Sequence, residues 1–325
     1  MITVDVGNTF AKFGYFSRQS LRSKFPKPES SIRILPDKKN TANNSNLFND
    51  SDHKLITNWL GDLCEVDDWY ISVTASCCVV DSLISELKLF KPDGRFRILT
   101  NADVPIESDV DFPARTGIDR LFDAFAAAKF VEDFVANSVE DSNGTSDQRI
   151  IETIIVVDAG TAITIDAVRT NVNPAVFEGG VILSGLRALS VVLSRAACRL
   201  PAVEFSKFSS TDLIYPAKNT ESAILTGMFG GLIAAINFFA QKIKTKKNNA
   251  DNSHKKIPII FTGGDAAILG KLFAGEFDKC SEYSLSIIPD LTLIGIAIVV
   301  SSDQFESKKS CNYSVVPVDY SSTEN

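Results

Sequence analysis

The feature that most restricts how this chain can fold is a short device that occurs twice. Residues 154–168 run as an apolar strand, an Asp158-Ala159-Gly160-Thr161 turn, and a second strand alternating through Ile163, Ile165 and Ala167. The first nine residues, MITVDVGNT, carry a shorter version with Asp5, Gly7 and the hydroxyl of Thr9. A buried strand ending in Asp-x-Gly and a hydroxyl gathers backbone N–H groups, a carboxylate and an OH at one strand end. That set suits a phosphate and its hydrated cation. An ordinary hairpin turn with a local Asp bond has the same composition. Recurrence at the head of each half favours a duplicated phosphate-binding device, and with it two similar α/β halves around a shared cleft.

Length and composition agree with that frame. At 325 residues two domains are expected. The 45% apolar and 22% charged content is that of a globular protein. A net charge of -7 with no basic stripe argues against a nucleic-acid partner. No run reaches the roughly 18 consecutive apolar residues of a membrane span. The N-terminus enters a strand at Ile2 without the organisation of a signal peptide. Cys64, Cys77, Cys78, Cys198, Cys280 and Cys311 form no CxxC pair, and His53 and His254 fall in polar stretches, so no zinc site is expected. The expectation is a cytoplasmic protein, free of membrane, whose cysteines are reduced and act mostly as small hydrophobes, Cys77 and Cys78 within a strand-like run.

Along the chain, strands are expected at 2–6, 11–16, 69–73, 97–100 and 257–261. Helices are expected at 54–63 (through Leu55, Trp59, Leu60 and Leu63), 80–89, 221–243 and 291–300. A stronger amphipathic helix is expected at 117–135, with Leu121, Phe122, Phe125, Ala128 and Val131 on its apolar side. Residues 36–53 and 137–149 read as polar insertions, the second a hinge or mobile loop, and 101–116 as irregular. Gly179-Gly180 is expected to precede a long helix to about Arg199. Gly227, Gly230, Gly231, Ala234 and Ala235 suggest a helix packed closely on a neighbour. The resulting division is an N-terminal half at 1–115, a C-terminal half at 116–302, and a polar tail at 303–325.

Two further stretches could carry chemistry. Thr116-Gly117-Ile118-Asp119-Arg120 has the spacing of a helix cap, and composition alone favours that reading. Yet Arg120 is a bidentate anion binder, and a carboxylate beside a phosphate cleft can accept a hydroxyl proton. Thr262-Gly263-Gly264-Asp265 is either a glycine floor under a nucleotide base or a tight strand-to-helix turn. Neither GxxxxGK[ST], nor GxGxxG after a strand, nor GxSxG occurs, which disfavours P-loop, Rossmann, protein-kinase and serine-hydrolase readings.

Taken in order, DVGNT (5–9) with Lys12, GIDR (117–120), DAGTAITID (158–166), FEGGVILSGL (177–186), AKNT (217–220), TGGDA (262–266) and PDLTLIGI (289–296) resemble the type III pantothenate kinases. These belong to the superfamily of acetate and sugar kinases, heat-shock chaperones and actin. The resemblance implies an α/β fold of two similar ribonuclease-H-like, actin-like ATPase domains with a nucleotide cleft between them. It implies ATP-dependent phosphorylation of pantothenate at its terminal hydroxyl, the first committed step towards coenzyme A. Carried over by residue, Asp5, Val6, Gly7, Asn8, Thr9, Phe10, Ala11 and Lys12 would form the first phosphate loop, with Asp5 near Mg2+. Thr161 would contact ATP, and Asp158 would help bind a monovalent cation, K+ or NH4+. Gly117, Ile118, Asp119 and Arg120 would line the pantothenate site with Asp119 as general base, and Thr220 would also touch pantothenate. A homodimer is implied, with the substrate site near its interface. Ala217 departs from the family pattern, where a glycine is usual. A non-enzymatic relative of the same fold, another small-molecule kinase of the superfamily and an actin-like filament former remain as alternatives.

Overall fold

The computed structural model describes residues 1–35, 47–61, 63, 66–74, 77–140, 151–205, 213–247, 256–277, 282–302 and 305. Strands β1 (Ile2–Val6), β2 (Ala11–Tyr15), β3 (Ser30–Ile34), β4 (Asp68–Val73) and β5 (Arg95–Ile98) form one sheet, in the order β3-β2-β1-β4-β5. The first three are antiparallel, and β4 and β5 run parallel to β1. Strands β6 (Glu107–Ser108), β7 (Thr153–Ala159), β8 (Ala162–Arg169), β9 (Val176–Ser184), β10 (Ile257–Thr262) and β11 (Tyr283–Ile287) form the second sheet, in the order β11-β10-β7-β8-β9-β6. Without β6, the second sheet repeats the order and directions of the first. The expected duplication of a ribonuclease-H-like α/β unit is therefore present in the strand topology itself.

Seven helices are described: α1 (Asp50–Gly61), α2 (Cys77–Phe90), α3 (Ile118–Glu140), α4 (Leu186–Ala196), α5 (Thr220–Lys247), α6 (Ala266–Phe277) and α7 (Leu291–Val300). Alternation of side chains along each strand splits the apolar residues between two faces. Ile2, Val4 and Val6 of β1 pack outward with Ile56, Leu83 and Leu87 from α1 and α2. Ile155 and Val157 of β7 pack outward with Leu225, Phe229 and Leu269 from α5 and α6. Ile154 and Val156 face inward onto the middle layer, where α3 and α7 lie between the sheets. A helix enclosed on all sides needs no polar face, and α7 (LTLIGIAIVV) has almost none, with nine of its residues buried. Gly295 lets α7 touch the α3 backbone: a Cβ there would stand 2.4 Å from the Phe122 carbonyl oxygen.

The structure revises several expectations. Cys77 and Cys78 open α2 and are not in a strand; the thiol of Cys198 is free and exposed. Within 36–53, Leu47 and Phe48 are buried and α1 begins at Asp50, while residues 36–46 lie outside the described set. The buried residue of α1 is Ile56, whereas Leu55 is 44% exposed. His53 belongs to α1, and its Nε2 is 3.2 Å from Glu86. Gly179 and Gly180 lie inside β9, and α4 starts only at Leu186. The stretch 101–116 contains β6, which pairs with β9 of the second sheet. β8 is buried on both faces, Thr164 and Asp166 included, because layers cover it on either side. Strands β3 and β11 were not expected. Residues 141–149 of the second insertion lie outside the described set. So does most of the expected tail, but Phe305 is buried beside Tyr70 and under the Arg97 guanidinium.

Helix α5 is long and apolar enough to cross a membrane by length and composition. Its Ile224, Leu225, Met228, Phe229, Leu232, Ile233, Ile236 and Ala240 recur at helical spacing and are buried against the second sheet. Gly227, Gly230 and Gly231, by contrast, have nothing within 4 Å of where a Cβ would stand, so no close neighbour among the described residues explains them.

Candidate active site

The two equivalent hairpin turns meet. Gly7 N–H donates to the Phe10 carbonyl and Gly160 N–H to the Ala162 carbonyl, each at 3.0 Å, so each turn is closed by the N–H of its glycine, the first turn being one residue longer. Thr161 Oγ1 then donates to Thr9 Oγ1 at 2.6 Å, joining them across the cleft. Asp5 is the penultimate residue of β1 and Asp158 the penultimate residue of β7. Asp5 sits opposite Lys12 in the β1–β2 ladder, whereas Asp158 sits opposite Thr164. The duplicated device is thus asymmetric, with one lysine serving both halves. Asp5 Oδ1 is buried and has no hydrogen-bond partner among the described residues.

Charge is unbalanced here. Burial pushes the Asp5 carboxyl up to about 7; Lys12 opposes the rise, while Asp119 and Asp158 add to it. Burial likewise raises Asp158 to about 6, against Lys12 and together with Asp119 and Asp166. Asp119 is raised by burial, opposed first by the Arg120 N–H and then by its guanidinium. Burial would lower the Lys12 ammonium, but Asp5, Asp158 and Asp123 more than offset it, leaving it raised. Several carboxyls around one ammonium make a site in which added cations are stabilised.

Helix α3 begins at Ile118, so the spacing from Thr116 does not form a capping box. Thr116 instead closes a 3-10 turn over Pro113–Arg115. Asp119 Oδ1 accepts the N–H of Arg120 at 2.8 Å, a first-turn bond that also holds the carboxylate in place. A Cβ on Gly117 would lie 2.5 Å from Asp119 Oδ1 and would push that carboxylate out of this position. The Arg120 guanidinium donates from Nε to Asp166 Oδ2 at 3.0 Å and from Nη2 to Asp166 Oδ1.

Of the residues singled out in the sequence, Asp5, Thr9, Lys12, Asp119, Asp158 and Thr161 converge on this cleft. Val6, Ala11 and Ile118 are buried packing residues, so any contact with a ligand there is through the backbone. Asn8 is exposed in the first turn, and Phe10 lies under the Arg33 guanidinium at 3.5 Å. Thr220 is the exposed first residue of α5 and makes no hydrogen bond to the carboxylates among the described residues. Its neighbour Asn219 accepts the Ser222 N–H at 2.8 Å and caps the helix.

The family model of the type III pantothenate kinases matches residues 1–242. The chain belongs to that family. It is 29% identical over 202 residues to the type III pantothenate kinase of Desulfovibrio desulfuricans, a match covering 62% of this chain and 62% of that relative. It is 27% identical over 303 residues to the enzyme of that name from Legionella pneumophila (strain Corby), covering 92% of this chain and 97% of the relative. Among solved structures it is similar to the activator of the 2-hydroxyisocaproyl-CoA dehydratase from Clostridium difficile with bound ADPNP. That likeness has 11% identity and a TM-score of 0.49, and covers 97% of this chain and 99% of the other.

Three residues of this pantothenate kinase family member were missed in the sequence. Asp123 lies one helical turn after Asp119; its Oδ1 accepts the Thr292 hydroxyl at 2.8 Å between α3 and α7. Burial, with Asp158 adding to it, holds Asp123 well above the usual carboxylate range. An acid at i+4 inside an apolar helix face was the available signal. Asp166, two residues from Thr164 on β8, shares that residue's face of the strand. Arg33 of β3 reaches the turn between β10 and α6, where a Cβ on Gly264 would stand within 2.1 Å of its Nη1. Nothing in the local pattern marked it.

Proposed function

We propose that the protein transfers the terminal phosphoryl group of ATP to the terminal hydroxyl of pantothenate, giving phosphopantothenate on the route to coenzyme A. The observation that carries this reading is the meeting of the two duplicated turns at Thr9 and Thr161, with Asp5, Lys12, Asp158 and Asp119 around them. Phosphoryl transfer is chiefly positioning and charge neutralisation. Lys12 supplies a fixed positive charge for phosphate oxygens, and the Thr9 and Thr161 hydroxyls with the turn N–H groups supply donors. Asp119, kept near the cleft by the Arg120 N–H, accepts the proton of the attacking hydroxyl, and its burial makes it a better base than an exposed aspartate.

The residues present fit both implied cations. The partnerless Oδ1 of Asp5 suits Mg2+ or its bound water. Asp158, packed so closely on Gly263 that a Cβ there would lie 2.2 Å from its Oδ1, suits a monovalent ion, K+ or NH4+. When bound, such ions would offset the negative charge of the carboxylates and of the phosphates. We further propose a homodimer that uses the α5 face bearing Gly227, Gly230 and Gly231, and a cytoplasmic location. The test is ADP release measured with and without pantothenate, in K+, NH4+ and Na+ buffers. Pantothenate-dependent ADP release in K+ or NH4+ is expected. Nucleotide binding without phosphopantothenate formation would replace this reading with a non-enzymatic relative.

A further inference from the structure

An arginine on the first turn of a helix normally samples many rotamers, and fixing it costs up to about 2 kcal/mol of side-chain entropy. Arg120 is instead held by two residues of the second half, Asp166 and Phe177. Asp166 takes its Nε and Nη2 in a two-point contact. Asp166 is itself fixed: it is 2% exposed, and its Oδ2 also accepts the Thr164 hydroxyl at 3.0 Å. The Phe177 ring lies 5.2 Å from the Arg120 guanidinium carbon. Gly180, opposite Asp166 in the β8–β9 ladder, leaves space for this arrangement. A Cβ there would stand 2.3 Å from Asp166 Oδ1 and 2.2 Å from the Ile165 carbonyl oxygen. The ladder is shifted between Asp166 and Val168, immediately beside this contact.

We propose that Asp166 is a positioning residue that aims Arg120, and through it sets how pantothenate lies relative to Asp119. This rests on Arg120 being a pantothenate ligand. A guanidinium has five N–H donors in a planar fork, so the two-point contact with Asp166 leaves others free to bind an oxyanion or carbonyl of the substrate. Arg120 follows Asp119 in sequence, so rotating its fork by one rotamer would move the bound end of the substrate relative to the base. Thr164, Phe177 and Gly180 belong to the same bracket and act at one remove.

The test is Asp166→Asn, which keeps the shape but removes one of the two acceptor oxygens for Arg120. The expected result is a rise of tenfold or more in KM for pantothenate, with KM for ATP within about twofold of the parent; tenfold corresponds to about 1.4 kcal/mol. Thr164→Val should raise the same KM by a smaller factor, and Asp166→Glu should recover part of the loss. Arg120→Lys serves as the reference. If it leaves KM for pantothenate unchanged, the assignment of Arg120 to pantothenate falls. If it raises that KM while Asp166→Asn does not, the positioning role falls and the assignment stands. Equal rises in both KM values with a lowered midpoint would mark Asp166 as merely structural and overturn the proposal. Should Asp166→Asn not fold, Thr164→Val is read by the same criteria, and an unchanged KM for pantothenate there overturns it.

Discussion

Replacing Gly295 by alanine isolates the contact that holds the middle layer together. The added Cβ would stand 2.4 Å from the Phe122 carbonyl oxygen and 2.9 Å from its carbon. Ordinary C···O contacts lie at roughly 3.3–3.6 Å, so α7 must recede from α3 by about 1 Å. Thr292 lies one turn earlier on α7, and its 2.8 Å bond to Asp123 would stretch beyond hydrogen-bond range. Overpacking costs about 1–3 kcal/mol, and leaving a buried carboxyl without its donor costs about as much again. The expected loss is therefore about 2–6 kcal/mol, a large part of the stability of an ordinary domain. Asp119 rides on the same helix, and a displacement of about 1 Å is enough to cost about a hundredfold in rate. Denaturant unfolding, with the slope checked for constancy, measures the first effect, and coupled ADP release measures the second. A variant with the parental midpoint and the parental kcat would show that α3 and α7 are not pressed together as described.

Other consequences can be checked independently. Asp119→Asn should abolish pantothenate-dependent turnover while leaving the unfolding midpoint near the parent; a normal kcat would remove Asp119 as the base. Asp5 is raised from 3.8 to about 7 by burial, so the stability contributed by its protonated form is complete below about pH 4 and is lost as pH rises through 7. Asp5→Asn, which cannot ionise, should thus gain stability relative to the parent between pH 5 and pH 8 in the absence of cations, and a flat difference in melting temperature would contradict it. Arg33→Ala, which empties the stack on Phe10 beside Gly264, should raise KM for ATP several-fold and leave KM for pantothenate unchanged; parental nucleotide affinity would place Arg33 outside the site. Gly227→Ala should leave the isolated subunit as stable or up to about 1 kcal/mol more so, yet weaken self-association measured by light scattering; an intact dimer would move the interface elsewhere.

How much of this was readable depended on whether the determining contact was local. The two hairpins were readable because Asp-x-Gly after an apolar run specifies its turn nearly on its own, and β1, β7 and β8 lie where that pattern puts them. The helix 291–300 was readable because an unbroken apolar run flanked by Asp290 and Ser301 admits few alternatives. Gly179-Gly180 misled because glycine reads locally as a break. Here Gly180 is required by the close approach of Asp166 across the ladder, a contact between strands that no window contains. The two-residue strand β6 carries no periodicity at all. At the candidate site, Asp5, Asp119 and Asp158 stand in short motifs and were found. Asp123, Asp166 and Arg33 owe their place to Thr292, Arg120 and Gly264, partners 169, 46 and 231 positions away or nearly so, and were not.

The middle layer has a further consequence, for the order in which the molecule can be completed. Helix α3, which leads out of the first sheet's stretch of chain, lies against β7 and β8 of the second as well as β4 of the first, whereas α7, which follows the second sheet, lies against β1, β2 and β4 of the first. Each sheet takes much of its inner cover from the other's stretch of chain, as swapped domains do, but within one chain. During synthesis the inner face of the earliest sheet, with Thr3, Phe16 and Tyr70, must wait for α7 before its final cover arrives. Neither half is then a separable folding module, and fragments cut between α3 and β7 should acquire native structure only when mixed.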